Sequence, residues 1–317
     1  MIQSLTEKVL REEPLTRDEA LALYDEDLSR LAAAATTIRA RFLGESFDLC
    51  TIVDGKNGRC TEDCAFCVQS RRSRASVPVF DLFDEEAILR DALTADGAGV
   101  LRYGFVTMGR RLSKNEVAKT AEIFRRLHKE TRLHLCLSGG LLDKEDLTLL
   151  KDAGLERLHN NLETSRAFFP TLCTTHSYDE KIATIAAAKD VGLEVCSGAL
   201  FGLGESRADR IDLAFTLKDL AVDSVPLNIL HPIEGTPMED RPLLPEDEFL
   251  KTAAIFRFLL PKAYLRLAGG RRNLRKNGED ALDYGVNAAI TGDFLNTCGA
   301  AVAADKAMIQ AKGFRLL

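Results

Sequence analysis

Between Phe47 and the C-terminus, short runs of alternating apolar and polar residues take turns with longer runs in which apolar residues recur every three or four positions. A period of two marks a strand, whose successive side chains point to opposite faces, and a period near 3.6 marks a helix. The strand candidates are Phe47–Val53, Val100–Thr107, Leu133–Ser138, Glu156–Asn161, Leu193–Gly198, Ser224–Leu230, Ala263–Leu267 and Gly285–Ile290. Helical patterns such as Asp84–Ala95, Lys114–Lys129, Asp179–Val191, Arg207–Leu220 and Glu246–Leu260 lie between them. Strands joined by helices run parallel, and eight of them predict an α/β fold, a closed TIM-type (β/α)8 barrel. Upstream, Ile2–Leu10 and Thr16–Leu43 read as amphipathic helices, with Thr16 as a cap two residues ahead of Asp18 and Glu19. They are expected to close one end of the barrel. The chain thus divides into an N-terminal helical extension, residues 1–44, and a single barrel domain, residues 45–317.

Strand parity then says what the barrel holds. In the third strand Leu133, Leu135 and Leu137 share one face, and His134, Cys136 and Ser138 the other. The fourth groups His159, Asn161 and Glu163, with Asn160 breaking the alternation. The fifth groups Glu194, Cys196 and Gly198. In the sixth Ser224 and Asn228 oppose Val225, Leu227 and Ile229, and in the seventh Tyr264 and Arg266 oppose Leu265 and Leu267. A barrel interior is ordinarily packed with branched apolar side chains. Cysteines, amides and an arginine on lumen parities predict a site running down the barrel.

Composition narrows the class. The 317 residues are 46% hydrophobic, enough for one large core, and the net charge of -6 leaves no basic surface for a nucleic-acid partner. Met1 to Glu13 lacks the apolar stretch of a signal peptide, and no segment has the run of about eighteen apolar residues that a membrane span needs. A cytoplasmic protein with no membrane partner is expected, where thiols stay reduced. Its eight cysteines are then metal ligands, catalytic groups or core residues rather than a disulfide framework.

The densest signal is Cys60-Thr-Glu-Asp-Cys64-Ala-Phe-Cys67, in a loop after the first strand. Three thiolates can hold three irons of a cubane and leave the fourth open, whereas a structural zinc site takes four protein ligands. A zinc knuckle completed by a remote histidine or cysteine is the competing reading, and cysteines with no metal role the plainest one. With Phe66 before the third cysteine, the run resembles the radical S-adenosylmethionine signature. In that superfamily S-adenosylmethionine chelates the open iron of a 4Fe-4S cluster, and an electron cleaves it to a 5′-deoxyadenosyl radical that abstracts substrate hydrogen. The position fits, since barrel active sites lie among the loops at the C-terminal strand ends. Gly202-Leu203-Gly204-Glu205, by itself only a tight turn, resembles the superfamily segment that approaches the methionyl end of S-adenosylmethionine.

From about Phe47 to Phe314 the chain resembles the biotin synthases. The matching stretches are Gly58–Ser70, Asn161–Ser165 with Phe169-Pro170, Thr174–Tyr178, Val195–Gly198, Gly202–Glu205, Asp223–Asn228, Gly235–Pro237 and Arg266–Arg271. The resemblance implies radical insertion of sulfur into dethiobiotin, with two molecules of S-adenosylmethionine used and the sulfur taken from a second, sacrificial iron–sulfur cluster. Cys136 and Cys196 match two of the three cysteine ligands of that auxiliary cluster, and Arg266 its arginine ligand; as lone cysteines both would otherwise read as core residues. The third cysteine should lie on the second strand, where Arg102-Tyr-Gly-Phe-Val-Thr-Met-Gly109 has Gly104 instead. That departure puts the usual 2Fe-2S cluster in doubt. Adjacent strands lie about 4.8 Å apart, so Cys50 on the first strand is a candidate replacement in a cluster of different nuclearity or sulfide content.

By the same resemblance Asn161 and Asn228 bind the ureido ring, which needs donors and acceptors together. Asn296 and Thr297 match a loop that binds the substrate carboxylate, Glu163 the position that bonds the ribose, and His176 a position near the adenosylmethionine carboxylate. Cys173 and Cys298 are assigned no role, Cys298 being an outside candidate at the barrel mouth. A homodimer and an electron donor such as flavodoxin or ferredoxin are also implied. Relatives resembling hydrogenase maturases or methylornithine synthases share the cysteine loop but have no expected need of Cys136, Cys196 and Arg266 together. An iron–sulfur electron carrier, the reading from another class, needs neither an open iron nor a barrel with paired asparagines.

Overall fold

The computed structural model describes residues 1–58, 60–82, 84–294 and 297–317, with only the backbone described at 293, 294 and 297–300. The chain begins with helices α1 (Ile2–Leu10), α2 (Arg17–Ala22) and α3 (Leu28–Leu43) and then alternates strand and helix: β1 (Ser46–Lys56), α4 (Glu85–Gly97), β2 (Arg102–Thr107), α5 (Lys114–Glu130), β3 (His134–Ser138), α6 (Lys144–Asp152), β4 (Leu155–His159), α7 (Tyr178–Asp190), β5 (Glu194–Cys196), β6 (Ala199–Phe201), α8 (Arg207–Asp219), β7 (Ser224–Ile229), α9 (Glu246–Leu259), β8 (Tyr264–Leu267) and β9 (Ala288–Phe294). A short antiparallel β10 (Thr297–Ala300), helix α10 (Val302–Ala311) and β11 (Arg315–Leu316) end the chain. The neighbours run β1, β2, β3, β4, β5 with β6, β7, β8, β9, all parallel, and β9 pairs back onto β1, so the barrel closes.

The helices begin where the sequence provides caps. Ser113 with Glu116, Ser177 with Glu180 and Ser206 with Asp209 form reciprocal capping boxes at α5, α7 and α8, each cap contributing about 1 kcal/mol. Thr16 and Glu19 do the same for α2. The helices cover the outward leucines of the strands: Leu135 and Leu137 are wholly buried, as is Phe105, which meets Phe124 of α5 edge to face. Truncating such a leucine to alanine costs about 2–5 kcal/mol.

Several boundaries differ from the sequence expectation, three of them with a visible structural cause. The helix expected over Thr16–Leu43 is broken by a 3-10 turn, Leu23–Asp25, and restarts after Asp27, an N-cap in extended conformation. The break turns the Glu26 carboxylate toward the Ile2 backbone N–H and Arg30, joining α1 to α3. The strand expected over Leu193–Gly198 ends at Cys196 and pairing resumes only at Ala199, because Gly198 faces Pro226. A Cβ at Gly198 would fall 2.1 Å from the Pro226 carbonyl oxygen, and proline has no N–H for the ladder. The last barrel strand begins at Ala288, since Gly285 sits at φ 87° and ends the preceding turn. The N-terminal segment reaches the base of the barrel, where Val9, Glu12, Pro14 and Leu15 line a cavity together with Arg102, Arg157 and Glu194. Among the described residues no helix is long and apolar enough to cross a membrane.

Candidate active site

The loop after β1 brings Cys60, Cys64 and Cys67 to the wall of one cavity of about 320 Å³ at the C-terminal end of the strands. Short backbone bonds shape it: Cys60 N–H to the Gln69 carbonyl at 2.8 Å, Cys67 N–H to Cys64 at 3.2 Å and Arg71 N–H to Glu62 at 3.0 Å. The intervening acids anchor it to the segment before α7. Buried Asp63 accepts from the Thr174 and Thr175 N–H groups at 2.8 and 3.2 Å. Glu62 accepts from Thr175 Oγ1 at 2.9 Å and lies 2.6 Å from His176 Nδ1. Three thiols on one cavity wall, with room beside them, are the donor set of a cubane with one open iron.

Phe66, Glu163 and His176 line this cavity too. His176 is buried against Glu62 rather than lying on the surface. Burial lowers its pKa, but the bonds to Cys173 and Glu62 outweigh it and the net direction is up. Burial raises the Glu163 carboxyl, and its backbone takes φ 70° to bond Gly198 and Leu200. Gly202, Gly204 and Glu205 lie behind the wall and are absent from the lining of either cavity. The Glu205 carboxylate accepts from the Gly202 and Leu203 N–H groups and from Arg210, fixing a turn whose Leu203 packs with Ala65, Leu172 and Met238 against Phe66.

Below it, a second cavity of about 310 Å³ fills the lumen. Its wall carries Cys50, Cys136, Cys196 and Arg266, with Gly104, Ile52, Asn161 and Asn228. Val106, Ser138, His159 and Asn161 line both cavities, so the two adjoin. Of the residues that parity grouped on this face, Cys136, Ser138, His159, Asn161, Cys196, Asn228 and Arg266 line the lumen, whereas Glu163 lines the cavity above and Glu194 and Tyr264 the cavity at the barrel base.

Asn161 Oδ1 accepts from the Gly198 N–H at 2.9 Å, and its Nδ2 donates to Glu163 at 3.4 Å. Asn228 Oδ1 accepts from the Gly269 N–H and its Nδ2 donates to the Ala199 carbonyl, both at 2.9 Å. Each carboxamide is therefore oriented, with one N–H and one lone pair left to face the lumen. Asn296 lies outside the described residues, as do the side chains of Thr297 and Cys298.

The sequence reading missed the charge at the lumen floor. Asp48, fully buried, bonds Arg266 Nη2 at 2.8 Å and Arg102 Nε at 2.7 Å and lies 3.5 Å from Arg157. Burial opposes its ionisation, but Arg266, Arg102 and Arg157 hold the carboxyl well below the usual range. The thiols above divide. Burial pushes Cys50 up to about 11 and Cys136 higher still. For Cys196 burial is overcome by the bond to His159 and by Arg266 and Arg157, which bring it down to about 7. Where the third cysteine of this lumen was expected on β2, Gly104 is covered by Ile52: a Cβ there would meet Ile52 Cγ2 at 3.0 Å.

Residues 57–217 match the model of the Radical SAM superfamily, and residues 226–315 that of the Biotin and Thiamin Synthesis associated domain. In fold, the chain is similar to methylornithine synthase (TM-score 0.84, 22% identity, covering 99% of this chain and 97% of that one) and to an FeFe-hydrogenase maturase from Carboxydothermus hydrogenoformans (TM-score 0.83, 17% identity, 99% and 79%). It is thus a radical S-adenosylmethionine enzyme. In sequence it is 48% identical to a biotin synthase of Clostridium botulinum, over 98% of this chain and 97% of the relative, and 46% identical to one of Campylobacter hominis, over 99% and 97%. The chain belongs to the biotin synthase family, and that family implies a 4Fe-4S cluster and S-adenosylmethionine.

Proposed function

We propose that this chain converts dethiobiotin to biotin by radical insertion of sulfur. The observation that supports this most directly is that the two cavities adjoin. A cleft bearing Cys60, Cys64 and Cys67 shares the wall residues Val106, Ser138, His159 and Asn161 with a lumen bearing Cys50, Cys136, Cys196 and Arg266.

In this reading Cys60, Cys64 and Cys67 hold the 4Fe-4S cluster. When bound, that cluster supplies the electron that cleaves S-adenosylmethionine to the radical that takes hydrogen from the substrate. Phe66 and Glu163 receive the adenosyl part, Glu163 toward the ribose, and His176 faces the methionyl carboxylate. Glu205 positions the Gly202–Gly204 turn that backs Phe66. Asn161 and Asn228, their amides oriented by backbone partners, offer the ureido ring a donor and an acceptor each. Asn296 and Thr297 bind the substrate carboxylate. The enclosed wall keeps water from the reacting carbons.

Cys50, Cys136, Cys196 and Arg266 would hold the auxiliary cluster, the source of the inserted sulfur. Its ligand set departs from the usual one because Gly104 brings no thiol, while Cys50 already lies 3.1 Å from Arg266 Nη1. In this reading the moved thiolate goes with a cluster that differs from 2Fe-2S in nuclearity or sulfide content. Burial raises the Cys50 thiol and the Arg266 guanidinium only partly offsets it, whereas Cys196 is brought down by His159, Arg266 and Arg157 toward the thiolate, the form that binds metal. The protein works as a cytoplasmic homodimer fed by a flavodoxin or ferredoxin.

The test is anaerobic reconstitution with iron and sulfide, followed by dethiobiotin, S-adenosylmethionine and a low-potential reductant. Biotin with two 5′-deoxyadenosines per product is expected. Deoxyadenosine without biotin would move the assignment to another substrate in the same barrel.

A further inference from the structure

Among the described cysteines, Cys173 alone belongs to neither the loop nor the lumen set. It is buried, and its Sγ lies 3.7 Å from Cys64 Sγ and 3.3 and 3.8 Å from Nδ1 and Nε2 of His176. The donor atoms of these three residues lie within 4.8 Å of one another. A tetrahedral ion with metal–sulfur bonds of about 2.3 Å and metal–nitrogen bonds of about 2.0 Å sets two sulfurs about 3.8 Å apart, and a sulfur and a nitrogen about 3.5 Å apart. The sulfur–sulfur spacing of 3.7 Å is of that kind, and the 3.8 Å from Cys173 Sγ to Nε2 is within a few tenths of an ångström of it.

A second observation concerns orientation. A metal-binding histidine ordinarily gives its other ring nitrogen to a carboxylate, which fixes tautomer and ring plane. His176 Nδ1 lies 2.6 Å from Glu62 Oε2, and Thr175 Oγ1 holds that same oxygen at 2.9 Å. Both side chains are 9% exposed. Nε2, 3.8 Å from Cys173 Sγ, is the ring nitrogen with no carboxylate partner among the described residues.

We propose that, before the radical-generating cluster is built, the chain holds one thiophilic divalent cation of the zinc and ferrous class on Cys64, Cys173 and His176. Two thiolates and an imidazole satisfy three positions of a tetrahedron, and water takes the fourth. Because Cys64 serves both, the single cation and the cluster exclude each other, and zinc in this seat arrests cluster assembly. Only that exclusion rests on the reading of Cys60, Cys64 and Cys67 as cluster ligands; the binding of the cation does not.

The experiment titrates cobalt(II) into reduced, cluster-free protein under anaerobic conditions. One equivalent should give sulfur-to-cobalt charge-transfer absorption and tetrahedral d–d bands, and zinc should displace it. Cys173→Ser and His176→Gln should each weaken binding at least about tenfold, while Cys60→Ser and Cys67→Ser leave it unchanged. Zinc added before iron and sulfide should delay cluster absorbance in the wild type and not in Cys173→Ser, whose own cluster assembly also reports that it folds. Cobalt bands that persist in Cys173→Ser and His176→Gln but vanish in Cys60→Ser would put the ion on the loop cysteines and overturn the proposal. Equal zinc delay in both proteins would overturn the exclusion. If no cluster forms in any variant, it is the cluster reading that fails, and the cobalt result still decides the cation site.

Discussion

Arg266 Nη1 donates to Cys50 Sγ at 3.1 Å, joining β8 to β1 past the intervening β9. The guanidinium also holds the Asp48 carboxylate and the Ala289 carbonyl, so it cannot swing away without leaving buried partners unpaired. The lumen therefore presents a thiol and a guanidinium side by side. Replacing Cys50 with alanine should remove iron and sulfide from the lumen and leave the loop cluster intact. Mössbauer spectra of wild type and Cys50→Ala, each reconstituted in parallel, check this. An unchanged second cluster in the variant would remove Cys50 from the ligand set.

Ile52 and Gly104 are neighbours in register on β1 and β2. A thiol introduced at Gly104 would press on Ile52 Cγ2, 3.0 Å from the new Cβ. Gly104→Cys alone should lose about 1–3 kcal/mol through overpacking, and adding Ile52→Ala should recover part of it. In the double variant the third β2 thiol becomes available, and Cys50 should become dispensable for cluster binding. Denaturant midpoints of wild type, Gly104→Cys and the double variant check the first statement, and the iron content of the double variant with and without Cys50→Ala checks the second.

Much of this site was legible because strand parity is strict: once β3 and β8 were recognised, Cys136 and Arg266 had to face inward together. The floor was not legible. Asp48, Arg102 and Arg157 come from three strands far apart in sequence, and a buried charge is intelligible only beside its partners. Nor could Cys173 be placed, since its neighbour Cys64 is 109 residues away. The broken helix at Leu23–Asp25 escaped because the apolar periodicity continues through it, while the cause, Glu26 bonding the Ile2 N–H, is a tertiary contact.

Asp48→Asn should destabilise the fold by about 3–5 kcal/mol at neutral pH, since three arginines lose their shared counter-charge. The pH dependence has a definite sign. A carboxyl held lower in the folded state stabilises above its unfolded pKa of about 3.9, and the contribution is lost as pH falls toward the folded value. Wild-type stability should therefore drop below about pH 4, and Asp48→Asn should show a smaller drop. Denaturant unfolding across that range measures it.

Cys196, near 7, should be the first lumen thiol to react in the cluster-free protein, with Cys50, near 11, and Cys136 lagging. His159→Ala removes the bond that lowers it and should shift the midpoint of its alkylation to higher pH. Peptide mass spectrometry after timed iodoacetamide labelling checks the order and the shift.

The lumen as sulfur source can be tested most directly in a single turnover. Protein reconstituted with sulfide of a heavy isotope, then freed of excess sulfide, is given dethiobiotin and S-adenosylmethionine. Biotin from the wild type should carry the heavy sulfur, and Cys50→Ala should release deoxyadenosine with no labelled biotin. Unlabelled biotin from the wild type, or labelled biotin from Cys50→Ala at the wild-type yield, would contradict a sulfur-bearing cluster held by Cys50, Cys136, Cys196 and Arg266.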